Sequence, residues 1–220
     1  MAAPVITVTR QYAAGGSEVA RLVADALGWT VIDNQFVDEV ARRAGLPPSE
    51  VAQREERAPG LLERLARALA AGAPEMFITT AVVARDERDE AEIAKITERV
   101  IQEAASEGRA VLVGRGAQAL LAQRPDALHA YVVASKPWRE RMAVEKLGAD
   151  PATVSTVVEE IDEQRDRYVR TYYGRARQDV TNYDLVLNTE RLGLEGAAAL
   201  VVAEARRRFR LPVTPAPSTR

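Results

Sequence analysis

Five short runs of aliphatic residues, separated by helical patterns, constrain the fold of this chain most. Most of the runs are continuously apolar, which is typical of strands buried on both faces of a sheet. The first two runs enclose a glycine-containing turn and an amphipathic helix, and this unit predicts an α/β fold with a parallel sheet and helices on both faces. The predicted strands are Val5–Thr9, Thr30–Asp33, Ala110–Gly114, Ala130–Ser135 and Asp184–Thr189.

The helix after the first run has the clearest pattern. Its apolar residues recur at helical spacing from Val19 to Leu27, which places them on one face of a helix. Ser17 is a residue type that caps helix starts, and Gly28 stands where a helix-ending glycine belongs. We therefore expect a strand, a tight turn and a helix between Val5 and Gly28.

The length of 220 residues and the mass of 24.0 kDa fit one domain, expected over residues 1–210. About 75 residues between the second and third strands have mostly helical patterns, too many for a plain crossover, and predict a helical insertion at about 34–107. An Arg-rich segment covers about 151–182, and residues 211–220 are expected to be a disordered tail. The predicted helices are Asn34–Ala44, Leu61–Ala71, Glu90–Glu107, Pro137–Leu147, Pro151–Tyr173 and Glu195–Arg208.

The composition excludes several classes of function. The sequence has no cysteine and only one histidine, His129, so it offers neither a thiolate nucleophile nor a zinc-type ligand cluster. The net charge of −2 and the pI of about 5.7 do not indicate a general nucleic-acid binder. No apolar run approaches the ~18 residues of a membrane span, and no basic-then-apolar leader begins the sequence. We expect a cytoplasmic protein without a nucleic-acid or membrane partner.

The loop between the first strand and the first helix is the main candidate site. Its two glycines let the backbone turn tightly and point successive N–H groups into one concavity, and the helix N-terminus adds partial positive charge. This arrangement favours an anion such as phosphate, although a tight turn without a ligand remains the alternative. As a Walker A sequence the loop lacks the lysine, because Gly16 occupies that position. The loop reads Arg10, Gln11, Tyr12, Ala13, Ala14, Gly15, Gly16, Ser17 and Glu18.

Four segments, in order along the chain, carry a resemblance to a known family. Val5–Glu39 resembles the opening of cytidylate kinases, and more closely that of their cytidylate kinase-like relatives, whose loop reads R-Q-Y-G-S-G-G. The later matching segments are Val111–Gly116, Asp162–Arg165 and Tyr183–Thr189. The resemblance implies a three-layer P-loop NTPase-like fold with a five-stranded, mostly parallel sheet. It also implies a helical insertion that holds a nucleoside monophosphate and an Arg-rich lid.

The resemblance also implies roles for single residues. The loop from Gln11 to Glu18 would hold the phosphates of ATP, with Ser17 near its Mg²⁺. Asp33, Arg115 and Asp162 would contact the acceptor, and the catalytic arginines would be Arg10, Arg115 and Arg165. Other interpretations of these residues stay open: Asp33 as a helix cap, Arg115 as a surface residue in a turn, and the arginines of the lid as a solvated face.

Three positions depart from the cytidylate kinase pattern. The phosphate-loop lysine aligns with Gly16, the metal-binding hydroxyl with Glu18, and an acidic residue that helps to hold the metal with Val113. Arg10 and Ser17 could compensate by reaching the phosphates and the metal. The leading hypothesis is transfer of the γ-phosphoryl group of Mg-ATP to a pyrimidine nucleoside monophosphate such as CMP or dCMP, by a monomer or a homodimer. The alternatives are a nucleotide-binding regulatory protein with weak or no kinase activity and an interaction scaffold that binds no nucleotide.

Overall fold

The fold is built on one parallel sheet. The computed structural model describes residues 4–33, 98 and 101–212. Within them the strands are β1 (Val5–Arg10), β2 (Thr30–Ile32), β3 (Ala110–Val113), β4 (Ala127–Val133) and β5 (Leu185–Asn188). They lie in the order β2-β3-β1-β4-β5, and every neighbouring pair is parallel. The five predicted strands and the α/β class are confirmed.

The helices follow the predicted pattern with shifted ends. They are α1 (Gly16–Leu27), α2 (Ala117–Leu120), α3 (Lys136–Leu147), α4 (Val154–Tyr173) and α5 (Thr189–Phe209). A 3₁₀ turn follows α4 at Val180–Asn182. A break at Gly193, where φ is 69° and ψ is 169°, divides α5 near its start. The predicted helix Glu195–Arg208 is the continuous part beyond that break.

The core lies between the sheet and the helices α1 and α5. In a strand, successive side chains point to opposite faces. Ile6 and Val8 of β1 therefore share one face, where they join a fully buried cluster with Val19 of α1 and Val201 of α5. The opposite face carries Thr7, whose hydroxyl lies 2.8 Å from Nδ1 of the buried His129. Both faces of the central strand are thus covered, since Val5 to Thr9 are all buried.

The position of β1 decides where a ligand can bind. β1 lies between β3 and β4. The strands β2 and β3 therefore lie on one side of it, and the later strands β4 and β5 lie on the other. Loops at the carboxyl ends of such neighbouring strands diverge and leave a crevice between them. The loop that follows Arg10 opens into this crevice.

The start of α1 corrects one prediction. Ser17 was expected as the N-cap, but the helix begins at Gly16, and the cap position is Gly15, with φ of 76° and no side-chain cap hydrogen bond. The prediction is wrong because the left-handed conformation of Gly15 turns the chain into the helix before Ser17. Ser17 lies in the first turn instead. Gly28, at φ 65°, ends the helix as predicted.

Several predictions fall outside the described residues. These are the helices Asn34–Ala44 and Leu61–Ala71, the larger part of the insertion at about 34–107, and the greater part of the tail 211–220. The predicted helix Glu90–Glu107 is helical over 101–107 and at Glu98. In the described part of the chain, no helix combines the length and the apolar character needed to cross a bilayer.

Thr189, at the start of α5, links the sheet to the loop after β1. Its buried hydroxyl donates to the carbonyl of Ala14 at 2.8 Å and lies 3.3 Å from the carbonyl of Val133. We expect Thr189→Val to lower the free energy of unfolding by about 1–3 kcal/mol, because a buried carbonyl loses its donor at nearly constant side-chain volume. Thr171→Val, at an exposed position of α4, is the control. Urea unfolding measures both, and equal effects would contradict the prediction.

Candidate functional site

The loop between β1 and α1 is held in place from two sides. The N–H of Gln11 donates to the carbonyl of Val132 at 3.0 Å, and its side-chain oxygen accepts from the N–H of Ala134 at 3.1 Å. Thr189 of α5 holds the carbonyl of Ala14. These bonds attach the loop to the end of β4 and to α5, so its backbone is fixed by the same elements that form the core.

The backbone of this loop has the geometry of an anion-binding turn. Ala13 and Gly15 both have positive φ, at 57° and 76°. The next residues, Gly16, Ser17 and Glu18, begin α1, and the N–H groups of a first helical turn have no partner within the helix. Among the described residues, no side chain forms a cap hydrogen bond at this end. The loop therefore presents backbone donors and the positive end of a helix dipole at the crevice beside β1.

The side chain of Arg10 crosses the floor of the site. A Cβ placed on Gly16 would lie 2.4 Å from Cβ and 2.8 Å from Cγ of Arg10, and a Cβ on Gly114 would lie 1.9 Å from its Nη1. The side chain thus runs from the loop after β1 to the end of β3. No residue larger than glycine fits at position 16 while Arg10 lies there. The lysine that Walker A loops carry at this position is therefore sterically excluded, and the guanidinium group of Arg10 lies beside the loop.

Arg115 lies beside the end of the Arg10 side chain. It has φ of 55° between two left-handed glycines, Gly114 and Gly116. The pKa of Arg115 is lowered to about 10, mainly by burial and in addition by the charge of Arg10, while Tyr168 and Asp33 act in the opposite direction. The structure therefore brings three predicted site residues, Arg10, Arg115 and Asp33, within electrostatic range at the carboxyl ends of β1, β3 and β2.

Aromatic side chains of α4 cover the turn that carries Arg115. A Cβ on Gly116 would lie 2.2 Å from Cε2 of Tyr173, so the ring lies directly on this glycine. Tyr168 contacts Tyr173 edge to face, with ring centres 6.1 Å apart. Burial raises the pKa of both phenols, which keeps them neutral. Arg115 is consequently partly shielded from water by two rings, and a shielded cation attracts an anion more strongly.

Asp162 and Arg165, also on α4, contact the loop from its outer side. The carboxylate of Asp162 accepts from the N–H of Tyr12 at 2.9 Å. Arg165 donates to the carbonyl of Arg10 at 3.2 Å, and its guanidinium lies 5.9 Å from the centre of the Tyr12 ring. Both side chains are therefore next to the phosphate loop. The substrate contacts predicted for them stay predictions, as does the Arg-rich lid.

Two further arginines belong to this outer side and were not singled out from the sequence. Arg139 of α3 donates to the carbonyl of Tyr12 at 3.1 Å and to Asp162 at 2.8 Å. Arg177 donates to the carbonyl of Arg10 at 2.8 Å and pairs with Asp166. Their side chains are only 8% and 4% exposed. Both stand in segments rich in exposed charge, so no sequence signal separates them from a solvated face.

Ser17 is the residue best placed for a metal ion. Its Oγ is buried and has no hydrogen-bond partner among the residues that the structure describes. Glu18, by contrast, pairs at 2.8 Å with Arg21 on the exposed surface of α1. The described residues contain no group of three or more His, Asp or Glu that could hold a metal. The site therefore fits a polyphosphate, and it fits Mg²⁺ in the usual manner of that ion, with one protein hydroxyl completed by phosphate oxygens and water.

The all-parallel five-stranded sheet with its helices defines the class of this fold as α/β, and solved structures share the fold. An uncharacterized protein from Eubacterium ventriosum superposes with a TM-score of 0.65 at 18% identity, over 92% of this chain and 98% of that one. Shikimate kinase from Acinetobacter baumannii, in complex with shikimate, gives 0.52 at 12% identity, over 92% of both chains. Shikimate kinase from Bacteroides thetaiotaomicron gives 0.51 at 13% identity, over 94% and 99%.

The sequence places the chain within one family of that class. Residues 5–191 match the cytidylate kinase-like family, so the chain belongs to the cytidylate kinase-like family. No curated protein matches the sequence significantly. The family covers the loop, β3 and its glycine turn, and α4, so all the site residues described above lie within the matched range.

Ala13 provides a test of the strain in the loop. A non-glycine residue in the left-handed region costs about 1–2 kcal/mol, whereas its neighbour Ala14, equally buried, has no positive φ. Both alanine-to-glycine changes lose one buried methyl group and gain unfolded-state freedom, but only Ala13→Gly relieves strain. We therefore expect Ala14→Gly to destabilise the protein by about 1–2 kcal/mol more than Ala13→Gly does. Thermal unfolding of both variants measures the difference, and equal losses would contradict it.

Proposed function

We propose that this protein transfers the γ-phosphoryl group of ATP to a pyrimidine nucleoside monophosphate such as CMP or dCMP. Membership of the cytidylate kinase-like family supports the reaction class. The observation that carries the proposal is the Arg10 side chain, which extends from the phosphate loop to Gly114 beside Arg115. It supplies positive charge at the place where a kinase must neutralise a transferring phosphoryl group.

The donor phosphates bind at the loop. The backbone N–H groups at the start of α1 donate hydrogen bonds to the phosphate oxygens, and the helix dipole adds to the attraction. Arg10 replaces the missing lysine: its planar guanidinium presents a fork of donors that suits phosphate oxygens. Ser17 would hold Mg²⁺ through its buried hydroxyl, and the ion would supply positive charge to the phosphate groups of the donor.

The acceptor binds beside the ends of β2 and β3. Asp33 and Arg115 lie there on adjacent strands, and the insertion at about 34–107 begins directly after Asp33. In the transfer, an oxygen of the acceptor phosphate forms a bond to the γ-phosphorus while the bond to the bridging oxygen breaks and ADP leaves. Arg10 and Arg115 stabilise the charge on the moving group, and Arg165 supports them from α4 by donating to the carbonyl of Arg10. We propose that residues 1–210 do this as one domain.

A regulatory nucleotide-binding protein is the second candidate, because of Val113. This buried residue of β3, only 4% exposed, occupies the position at which the resemblance calls for a carboxylate near the metal. A missing charge contact of this kind lowers an electrostatically catalysed rate by about two to three orders of magnitude. The same cleft could then bind a nucleotide without rapid turnover.

Product formation decides between the two candidates. We expect purified protein with Mg-ATP to form ADP and a nucleoside diphosphate from CMP or dCMP, but not from UMP or AMP, as detected by chromatography. Shikimate belongs among the acceptors tested, because two structures of similar fold are named shikimate kinases. If a folded protein binds ATP and phosphorylates none of them, the regulatory function replaces the kinase.

The role of Arg10 can be tested by removing its positive charge and placing a lysine at position 16 instead. Arg10→Gly should lower kcat/KM by about 10²–10³-fold, the usual effect of losing one charge-stabilising donor. It also clears the space over Gly16, so the double variant Arg10→Gly with Gly16→Lys should regain at least about tenfold of that loss. Gly16→Lys alone should destabilise the protein, because its Cβ would collide with Arg10.

Arg21→Ala is the matched control for this series. Arg21 is an arginine of α1 whose side chain is 54% exposed; within the described part of the chain its ion pairs are with Glu18 and Asp25 on the same helix. We expect its removal to leave kcat/KM unchanged. If Arg10→Gly behaved like Arg21→Ala in steady-state kinetics, Arg10 would not take part in the reaction.

A further inference from the structure

We propose that Asp162 is a positioning residue for the phosphate loop, and not a substrate contact. Together with Arg139 and Arg177 it holds the outer side of the loop backbone, so that the inner side keeps its phosphate-binding shape. These three residues are called the Asp162 cluster below. The inference rests on the proposed function only in naming phosphate as the ligand of the loop.

The Asp162 cluster bonds successive peptide groups at the beginning of the loop. Arg177 donates to the carbonyl of Arg10 at 2.8 Å. Asp162 accepts from the N–H of Tyr12 at 2.9 Å, and Arg139 donates to the carbonyl of Tyr12 at 3.1 Å. Polar groups of three consecutive peptide units are thus directed toward α3 and α4, away from the crevice.

This outward bonding determines the direction of the next N–H group. In a planar trans peptide the carbonyl and the following N–H point in opposite directions. Because Arg139 holds the carbonyl of Tyr12 on the outer side, the N–H of Ala13 is directed inward. Ala13 is also the residue held at φ 57°, a conformation that persists only when its surroundings impose it. The Asp162 cluster supplies that constraint immediately before the strained residue.

Together with Asp166, the charged side chains of the Asp162 cluster balance one another and are largely buried. Asp162 bonds Arg139 at 2.8 Å and Arg177 at 3.4 Å, and its side chain is 13% exposed. Asp166 supplies the second negative charge by pairing with Arg177. Both oxygens of Asp162 already accept protein donors, so binding a substrate hydroxyl would compete with the bonds to the loop. Removal of one partner would leave the others charged in a shielded place, which is strongly unfavourable.

The cluster also connects the loop to α4. Asp162 and Asp166 belong to that helix, and Arg177 follows soon after its end at Tyr173. The same helix places Arg165 against the carbonyl of Arg10 and Tyr173 on Gly116. A movement of α4 relative to the sheet would therefore change the loop backbone and the cover of Arg115 at the same time.

Asp166 provides a matched control for Asp162. Both carboxylates lie on α4 and both bond Arg177, but the described bonds of Asp166 go to the side chains of Arg177 and Gln178 and not to the loop. The variants are Asp162→Ala, Asp162→Asn and Asp166→Asn. Asn at position 162 keeps an oxygen that can accept from Tyr12 while removing the charge, so it should rescue part of the function of the loop.

The experiment measures the ligand-free loop and each ligand separately. In Asp162→Ala we expect faster hydrogen exchange at the amide of Tyr12 and weaker binding of tripolyphosphate, by about tenfold for the loss of one charge-assisted bond. The KM for ATP should rise by a similar factor while the KM for CMP stays within about twofold. Asp162→Asn should lie between Asp162→Ala and the wild type, and Asp166→Asn should change tripolyphosphate binding by less than about threefold.

Three results would overturn the inference. A selective rise in the KM for CMP in Asp162→Ala, with tripolyphosphate binding unchanged, would make Asp162 an acceptor contact. Unchanged exchange at Tyr12 would show that Asp162 does not hold the loop. Equal effects of Asp166→Asn and Asp162→Asn on tripolyphosphate binding would show that the Asp162 cluster contributes only to the stability of the fold.

The test separates this inference from the proposed function. If the wild type binds tripolyphosphate but transfers no phosphoryl group, the kinase proposal fails while the exchange and binding measurements still decide the role of Asp162. If the wild type does not bind tripolyphosphate, the phosphate role of the loop fails and the inference fails with it. If Asp162→Ala does not fold, the same measurements are made on Asp162→Asn, with Asp166→Asn as the control.

Discussion

The course of the Arg10 side chain is the constraint on which the site depends. It leaves the last residue of the central strand, passes over Gly16 and ends against Gly114. Gly16 is needed because a Cβ there would collide with Cβ and Cγ of the arginine, and Gly114 is favoured by its left-handed backbone, at φ 73°. This one side chain explains why position 16 of the loop carries no lysine, and it ends at Gly114, directly after β3. It also brings a guanidinium next to Arg115.

Arg115 lies where burial and the charge of Arg10 both lower its pKa. In the proposed reaction, a phosphate group bound beside the two guanidinium groups would offset the lost hydration of Arg115 and the repulsion between the like charges. The two arginines therefore fit the proposed negatively charged ligand.

Sequence reasoning predicted the scaffold of this site well and its bonding poorly. The aliphatic runs and the glycine turn predicted the strands, the parallel sheet and the position of the loop, since these depend on local patterns. The resemblance implies site roles for Asp33 and Arg115, and Arg10 is the residue that could compensate for the missing lysine; the structure brings these three residues together. The cap at Ser17 was wrong because helix starts depend on one backbone angle, which Gly15 takes at 76°.

The sequence alone determined that many arginines follow the fourth strand, but not which of them contact the loop. The tertiary structure decided which of them are buried and what each one bonds. Arg139, Arg177 and Arg165 stand in segments that read as solvated helix faces, yet all three donate to carbonyls of the loop after β1. The physical reason is that every residue has the same backbone carbonyl, so the sequence does not show which carbonyls become buried. Only the folded chain decides which of them require a hydrogen-bond donor.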